Sequence, residues 1–357
     1  LNPALRFRSM FQRSVRAPNL FEAFTVRRES LGSYASFNSA EDPCSASNDP
    51  VNAGRVDACV ATGLPANLVG TFEAMVQFPT LFIDGGNPNL QPETAETFTA
   101  GVVVTPAAWS AWQFAIDYYN LEVEDEIGGI DVNTACFDVT NVDNLFCDRI
   151  TRDATNGYNV NRVDSTIINR GILSTRGIDT QVNFGADLPD ALAIGSDGAD
   201  LVVNLTWTRM LKQSFQETAY STVADCVGLY GDPCTVGKSG YTWPRDRVTT
   251  TFNYASGDWN VHLLWQWISS VNNAKPLVVD LFSDPEPILA IERIPSRNYF
   301  DLGVGYQFTD NLVARLTISN VTETTPPLMA AQANINTDSA MYDVFGRAYT
   351  LSVSWRY

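Results

Sequence analysis

The sequence predicts an all-β fold: an antiparallel transmembrane β-barrel wall. Three observations carry this. Ten segments alternate apolar and polar residues, which gives each a greasy face and a wet face. The connections between them alternate long and short from first to last. Six cysteines fall in the long connections and none falls in a strand.

The strands follow in chain order. Leu5, Phe7 and Phe11 oppose Arg6, Arg8 and Gln12. Phe98, Ala100, Val102 and Val104 oppose Thr97 and Thr99. Trp112, Phe114, Ile116 and Tyr118 oppose Gln113, Asp117 and Tyr119. Ile178, Val182 and Phe184 oppose Asp179, Gln181 and Asn183, and Leu201, Val203, Leu205 and Trp207 oppose Asn204, Thr206 and Thr208. Val248, Thr250, Phe252 and Tyr254 oppose Thr249, Thr251 and Asn253. Val261, Leu263, Trp265 and Trp267 oppose Asn260, His262 and Gln266. Phe300, Leu302, Val304, Tyr306 and Phe308 oppose Asp301, Gly303, Gly305 and Gln307. Leu312, Ala314, Leu316 and Ile318 oppose Arg315, Thr317 and Ser319. The last segment is the clearest: Tyr349, Leu351, Val353, Trp355 and Tyr357 on one face, Ala348, Thr350, Ser352, Ser354 and Arg356 on the other. Several approach the ~9–11 residues that cross a bilayer at a tilt. In a membrane barrel the apolar face meets lipid and the polar face meets the lumen.

One strand breaks the pattern. Ile116 and Tyr118 are even, but Leu121 and Val123 are odd. A β-bulge near Tyr119-Asn120 would restore one stripe; alternatively the strand leaves the membrane there. The long connections lie near 14–95, 124–170, 210–246, 269–296 and 320–346, and the short ones near 105–110, 186–200, 255–258 and 309–311. Sorting by parity is the mark of an outer-membrane barrel, with loops outside and turns in the periplasm.

Composition narrows the function. The 357 residues are 45% hydrophobic, so the chain is not disordered. With 23 basic and 40 acidic residues the net charge is −17, which argues against nucleic acid as a partner. The single histidine, His262, rules out mechanisms that need a histidine pair; on a polar strand face it reads as a hydrogen-bonded lumen or core residue rather than a catalytic one. No apolar run is long enough for a transmembrane helix. No Walker A, HExxH or GxSxG pattern occurs, and no enzyme is expected.

Cys44, Cys59, Cys136, Cys147, Cys226 and Cys234 place one pair in each of the first three long loops. Six cysteines allow fifteen pairings. Their placement favours the local one, as three loop staples in an oxidising compartment, each closing ~8–15 residues for ~2–3 kcal/mol. The run Glu122, Glu124, Asp125, Glu126 lies where a strand becomes a loop. It reads as a solvated barrel rim, or as a structural Ca²⁺ site, since hard cations take clustered carboxylates; no other cofactor is indicated.

An ordered series of motifs resembles the TonB-dependent outer-membrane receptors, specifically the C-terminal part of their barrel. The series begins with Gln12 to Glu22 (QRSVRAPNLFE) and Gly86 to Glu96 (GNPNLQPETAE). It continues through Asp117-Tyr118-Tyr119-Asn120, Asn169-Arg170-Gly171 and Arg176-Gly177-Ile178-Asp179. Ser319-Asn320-Val321-Thr322, Tyr342 to Arg347 and a terminal aromatic, Tyr357, complete it. The resemblance implies about ten strands of a plugged barrel of about 22. It implies that residues 1–357 are the C-terminal portion of that barrel, without the N-terminal plug or the TonB-contacting segment. It implies residence in the outer membrane of a Gram-negative bacterium. The implied partners are outer-membrane lipid, the rest of the receptor with its plug, the TonB complex, a small nutrient ligand and the barrel-assembly machinery. That machinery would read the strand carrying Tyr349, Leu351, Val353, Trp355 and Tyr357.

The expected function is TonB-energised uptake of a scarce or bulky nutrient. Loop aromatics that could stack on a ligand are Tyr34, Phe37, Phe72, Phe78, Phe82, Tyr158, Tyr220, Tyr230 and Tyr241; the alternative for each is packing loop against loop. The acidic balance and the three lysines, Lys212, Lys238 and Lys275, favour a neutral oligosaccharide or glycoside over an anionic ferric siderophore. The competing reading is a secreted soluble β-rich enzyme or adhesin acting on carbohydrate. It would need its apolar strand faces buried in a core.

Overall fold

The computed structural model describes residues 4–36, 38–138, 140–141, 143–194, 198–216, 218, 221, 223–231, 234, 242–274, 291–329 and 337–356. Ten strands form one antiparallel meander in chain order. They are β1 (Leu5–Arg16), β2 (Glu93–Val104), β3 (Trp112–Gly128), β4 (Ile168–Leu188), β5 (Ala199–Gln216), β6 (Asp246–Ser256), β7 (Trp259–Ile268), β8 (Arg297–Thr309), β9 (Leu312–Ser319) and β10 (Ala348–Trp355). A two-residue strand, Ala224–Asp225, adds to the outer end of β5. β1 and β10 are the two ends of the sheet.

All ten expected strands form, and every hydrogen-bonded neighbour is the next in sequence. Loop length follows parity. The turn between β6 and β7 is two residues, with Gly257 at a φ of +51°. Glycine takes that left-handed conformation at the least steric cost.

The sheet has no core of its own. Large side chains on the apolar face stay exposed, such as Phe7, Phe98, Ile116, Leu316 and Leu351, the last at 71%. The buried apolar residues instead gather in three clusters, made mostly by the long loops. A soluble sandwich buries one sheet face against another. Here the exposed stripe is the lipid-facing surface of a barrel wall.

Of the two readings of the parity switch, the bulge at Tyr119-Asn120 is not the one that forms. β3 pairs with β2 and with β4 through both residues without a shift. β3 is 17 residues long, more than a bilayer needs, so Leu121 and Val123 belong to its extension beyond the membrane. The nearby register shift lies between β4 and β5, at Arg176/Gly177.

On the lumen face, Arg8 of β1 reaches across β2 to Asp117 of β3, with its Nε 2.6 Å from Oδ1. Gly101 lies between them in register, and a Cβ there would run into the Asp117 carboxylate. His262 Nδ1 lies 2.7 Å from Asn253 Oδ1 on the neighbouring strand.

Candidate ligand-binding site on the outer loops

The loops at the outer end form two packed caps. The first joins residues 17–92 to residues 129–167. It contains a four-stranded sheet of Arg28–Ser33, Pro79–Asp84, Val160–Asp164 and Ile150–Arg152, in that order. Pro79–Asp84 and Val160–Asp164 pair in parallel, which binds the two loops directly. Short helices Val56–Ala61 and Val132–Phe137 carry Cys59 and Cys136. Asp131 caps the second, accepting from the Asn133 and Thr134 amides at 3.0 and 3.3 Å.

Disulfides close the caps as the loop placement favoured: Cys44–Cys59 and Cys136–Cys147 in the first, Cys226–Cys234 in the second. The second cap draws on residues 223–231, 242–245, 269–274, 291–296, 320–329 and 337–347. Its small sheet runs Thr242–Trp243, Leu229–Tyr230, Val271–Asn273, Arg293–Ile294. Tyr230, Val271 and Ile294 of this sheet pack with Met329 and Tyr342.

The sequence motifs turn out to be physical joints. Arg16 at the end of β1 holds both Glu22 (2.9 Å) and Glu93 (2.6 Å), tying the segment after β1 to the segment opening β2. Asn169 exchanges two hydrogen bonds with the Gln91 backbone, both 2.7 Å. Asn320 is buried at the end of β9 and donates to the Thr324 carbonyl and the Asp343 carboxylate, at 2.9 and 3.0 Å.

Five of the nine aromatic candidates pack within the cap cores. Phe72 is buried in the first cap, and Tyr34, Phe82 and Tyr158 pack against the same core. Tyr34 donates to Asn133, and burial pushes its phenol well above the ordinary range. Tyr230 is buried in the second cap and donates to the Ile291 carbonyl. Phe78 is half-buried. Phe37, Tyr220, Tyr241 and Tyr357 lie outside the described residues. The acidic run does not act as one unit: Glu126 is held by Arg170 at 2.8 Å, and the Asp125 carbonyl accepts from Asn169. Among the described residues no three His, Cys, Asp or Glu side chains converge as a metal site.

What remains open is polar. A cleft of about 390 Å³ lies between the two loops of the first cap. Arg27, Arg149 and Arg162 line it, with Asp148 and Asp164. Asn87, Asn89, Thr151 and Thr166 complete the wall. Arg149 donates to the carbonyls of Asp164 and Thr166, both at 3.2 Å. Its guanidinium lies 3.7 Å from the Asp164 carboxylate, and that of Arg162 lies 3.6 Å away. Partial burial works to raise the Asp164 pKa, but Thr166 hydrogen bonds and the charges of Arg149 and Arg27 hold it below the ordinary value. Reading the sequence for aromatics and lysines missed this cleft. The available signal was arginine: the loops at 17–92 and 129–167 hold fourteen acidic residues and six arginines, with no lysine.

A meander of lipid-faced strands with disulfide-stapled caps at one end defines the wall of an outer-membrane receptor barrel. The profile of the family described as TonB dependent receptor-like, beta-barrel, matches residues 1–321, and the chain belongs to that family. Its wall therefore sits in the outer membrane of a Gram-negative cell. Among solved structures it is similar to the ferric enterobactin receptor PfeA from Pseudomonas aeruginosa (TM-score 0.57, 15% identity, 99% of this chain, 39% of that one). It is also similar to the siderophore receptor PirA from Acinetobacter baumannii (TM-score 0.54, 14% identity, 99% of this chain, 39% of that one). At these identities the likeness is one of fold. This chain spans 39% of the length of either receptor. No curated protein matches it.

Proposed function

We propose that residues 1–357 are the C-terminal part of a plugged barrel that imports an oligosaccharide or glycoside with energy from TonB. The observation that carries the ligand class is the first-cap cleft. Its groups are guanidinium, amide, carboxylate and hydroxyl, the set that meets sugar hydroxyls in pairs. Asp148 and Asp164 stand among its three arginines and leave an excess of one positive charge, too little for a polyanionic chelate.

A second reading is a ferric siderophore, favoured by the names of the solved neighbours, which are siderophore receptors. The partners in either case are the plug and remaining barrel strands at the two open sheet edges, the TonB complex, lipid, and the barrel-assembly machinery acting on β10. The test is uptake by cells carrying the whole receptor, offered labelled oligosaccharides and a ferric catecholate. Saccharide uptake that stops on deleting TonB supports the proposal. Uptake of the ferric chelate alone overturns the ligand class, and uptake indifferent to TonB overturns the transport mode.

A further inference from the structure

The charge balance of the first cap is uneven in a way that identifies a ligand group. Its two loops carry fourteen acidic residues against six arginines, yet three of those arginines line one cleft. Of the others, Arg55 and Arg152 are buried, and Arg28 stands beside Arg27 without lining it. The cleft is thus an island with one more positive than negative side chain, on a surface where the negative dominates. Its excess is arginine, the residue whose planar fork matches a carboxylate in two parallel hydrogen bonds.

We propose that this cleft binds an acidic sugar, a uronate residue of the imported oligosaccharide, through its carboxylate. The proposal rests on the saccharide reading and deepens it. The assignments follow from which groups are already occupied. Arg149 is committed to the Asp164 and Thr166 backbone and acts as a fixed wall. Arg27 makes no hydrogen bond among the described residues and reaches Asp164 only as a charge, so its donors are open to the carboxylate. Arg162 meets Asp164 only at 3.6 Å and remains 46% exposed in its side chain, so it can supply the second donor pair. Asp148, also without a hydrogen-bonded partner among the described residues, and the Asn89 amide face the sugar hydroxyls across the cleft. Asp148 is what separates a sugar acid from a bare anion: it repels either charge alike, but it accepts from the several hydroxyls that only the sugar carries. The volume, about 390 Å³, falls at the small end of ligand clefts and suits one or two sugar rings.

The experiment measures binding to the intact detergent-purified receptor by calorimetry. The probes are trigalacturonate, the neutral galactose trisaccharide, inorganic phosphate and a ferric catecholate. The variants are Arg27→Gln and Arg162→Gln, with Arg28→Gln as a neighbour outside the cleft. All three side chains are exposed, and an unchanged disulfide map and heat-modifiability show that each variant is folded. The expected result is trigalacturonate binding that exceeds the neutral sugar and weakens at least about 10-fold in Arg27→Gln and in Arg162→Gln, but not in Arg28→Gln. Equal affinity for the charged and neutral sugars, or variants without effect on trigalacturonate, overturns the uronate site and leaves the saccharide reading standing. Phosphate binding as tightly as trigalacturonate overturns the carboxylate assignment. Binding of the ferric catecholate with neither sugar overturns the saccharide reading itself.

Discussion

Arg152 and Asp42 form a doubly hydrogen-bonded ion pair across 110 residues of sequence, with both contacts at 2.7 Å and side-chain exposures of 0% and 1%. Arg152 also donates to Thr62 and to the Tyr158 carbonyl, and lies over the Phe72 ring. The pair therefore fastens the first long loop to the second from inside the first cap. Asp42→Asn leaves a buried guanidinium without its counter-charge, which costs ~3–5 kcal/mol. The loss stays in the cap, because among the described residues the hydrogen-bond partners of the pair all lie in the loops. Limited proteolysis should cut the first cap faster while heat-modifiability of the barrel is unchanged. The double variant Asp42→Leu/Arg152→Met should recover most of the protection, since an apolar replacement removes both desolvation costs.

The disulfides act locally for the same geometric reason. Each closes a short loop inside one cap, so replacing Cys226 and Cys234 with alanine should loosen residues 217–245 by ~2–3 kcal/mol and leave the first cap intact. Hydrogen exchange in the two caps separates these outcomes. Non-reducing peptide mapping that joined a cysteine of one loop to a cysteine of another would contradict the pairing.

Much of this was legible in the sequence, and the part that was not has a common cause. The ten strands, the loop parity and the three cysteine pairs all depend on neighbours in sequence or on a period of two. The cap sheets do not: Pro79–Asp84 pairs with Val160–Asp164, and Thr80 donates to the Val160 carbonyl 80 residues away. No local pattern announces such a pairing. The fate of Tyr34, Phe72 and Tyr230 was hidden likewise, because an aromatic in a loop looks the same whether it meets ligand or loop. The odd parity of Leu121 and Val123 was visible, but the length of β3 beyond the bilayer was needed to interpret it.

Alkaline pH should loosen the second cap. Burial pushes the Tyr342 phenol from 10.0 up to about 12. The folded cap thus prefers the neutral phenol, so this contribution is intact below pH 10.0 and is lost as pH climbs toward about 12. Following phenolate absorbance together with proteolysis of residues 320–347, Tyr342 should be among the last tyrosines to ionise, and cap cleavage should rise in that window. Tyr342→Phe should remove most of the rise.

Gly101 keeps the space through which Arg8 reaches Asp117. Gly101→Val puts carbon where the carboxylate lies, and should destabilise the β1–β2–β3 wall by ~1–3 kcal/mol. The heat-modifiability midpoint of the full-length receptor should fall. A midpoint unchanged from the parent would mean that Arg8 and Asp117 contribute nothing to the wall.

The apolar faces of this sheet meet lipid and its polar faces meet a wet lumen. β10 tests it in two adjacent residues. Val353 pairs with Ala314 on the lipid side, and Ser352 pairs with Arg315 on the lumen side. An arginine on the lipid face costs ~2–4 kcal/mol near the bilayer midplane. A glutamate at 352 stands opposite an arginine, where unlike cross-strand charges contribute up to ~1 kcal/mol. The measurement is outer-membrane yield and heat-modifiability of the full-length receptor carrying Val353→Arg or Ser352→Glu. A sharp loss for Val353→Arg with parental behaviour for Ser352→Glu is the predicted result; equal damage from the two would contradict a one-sided lipid face.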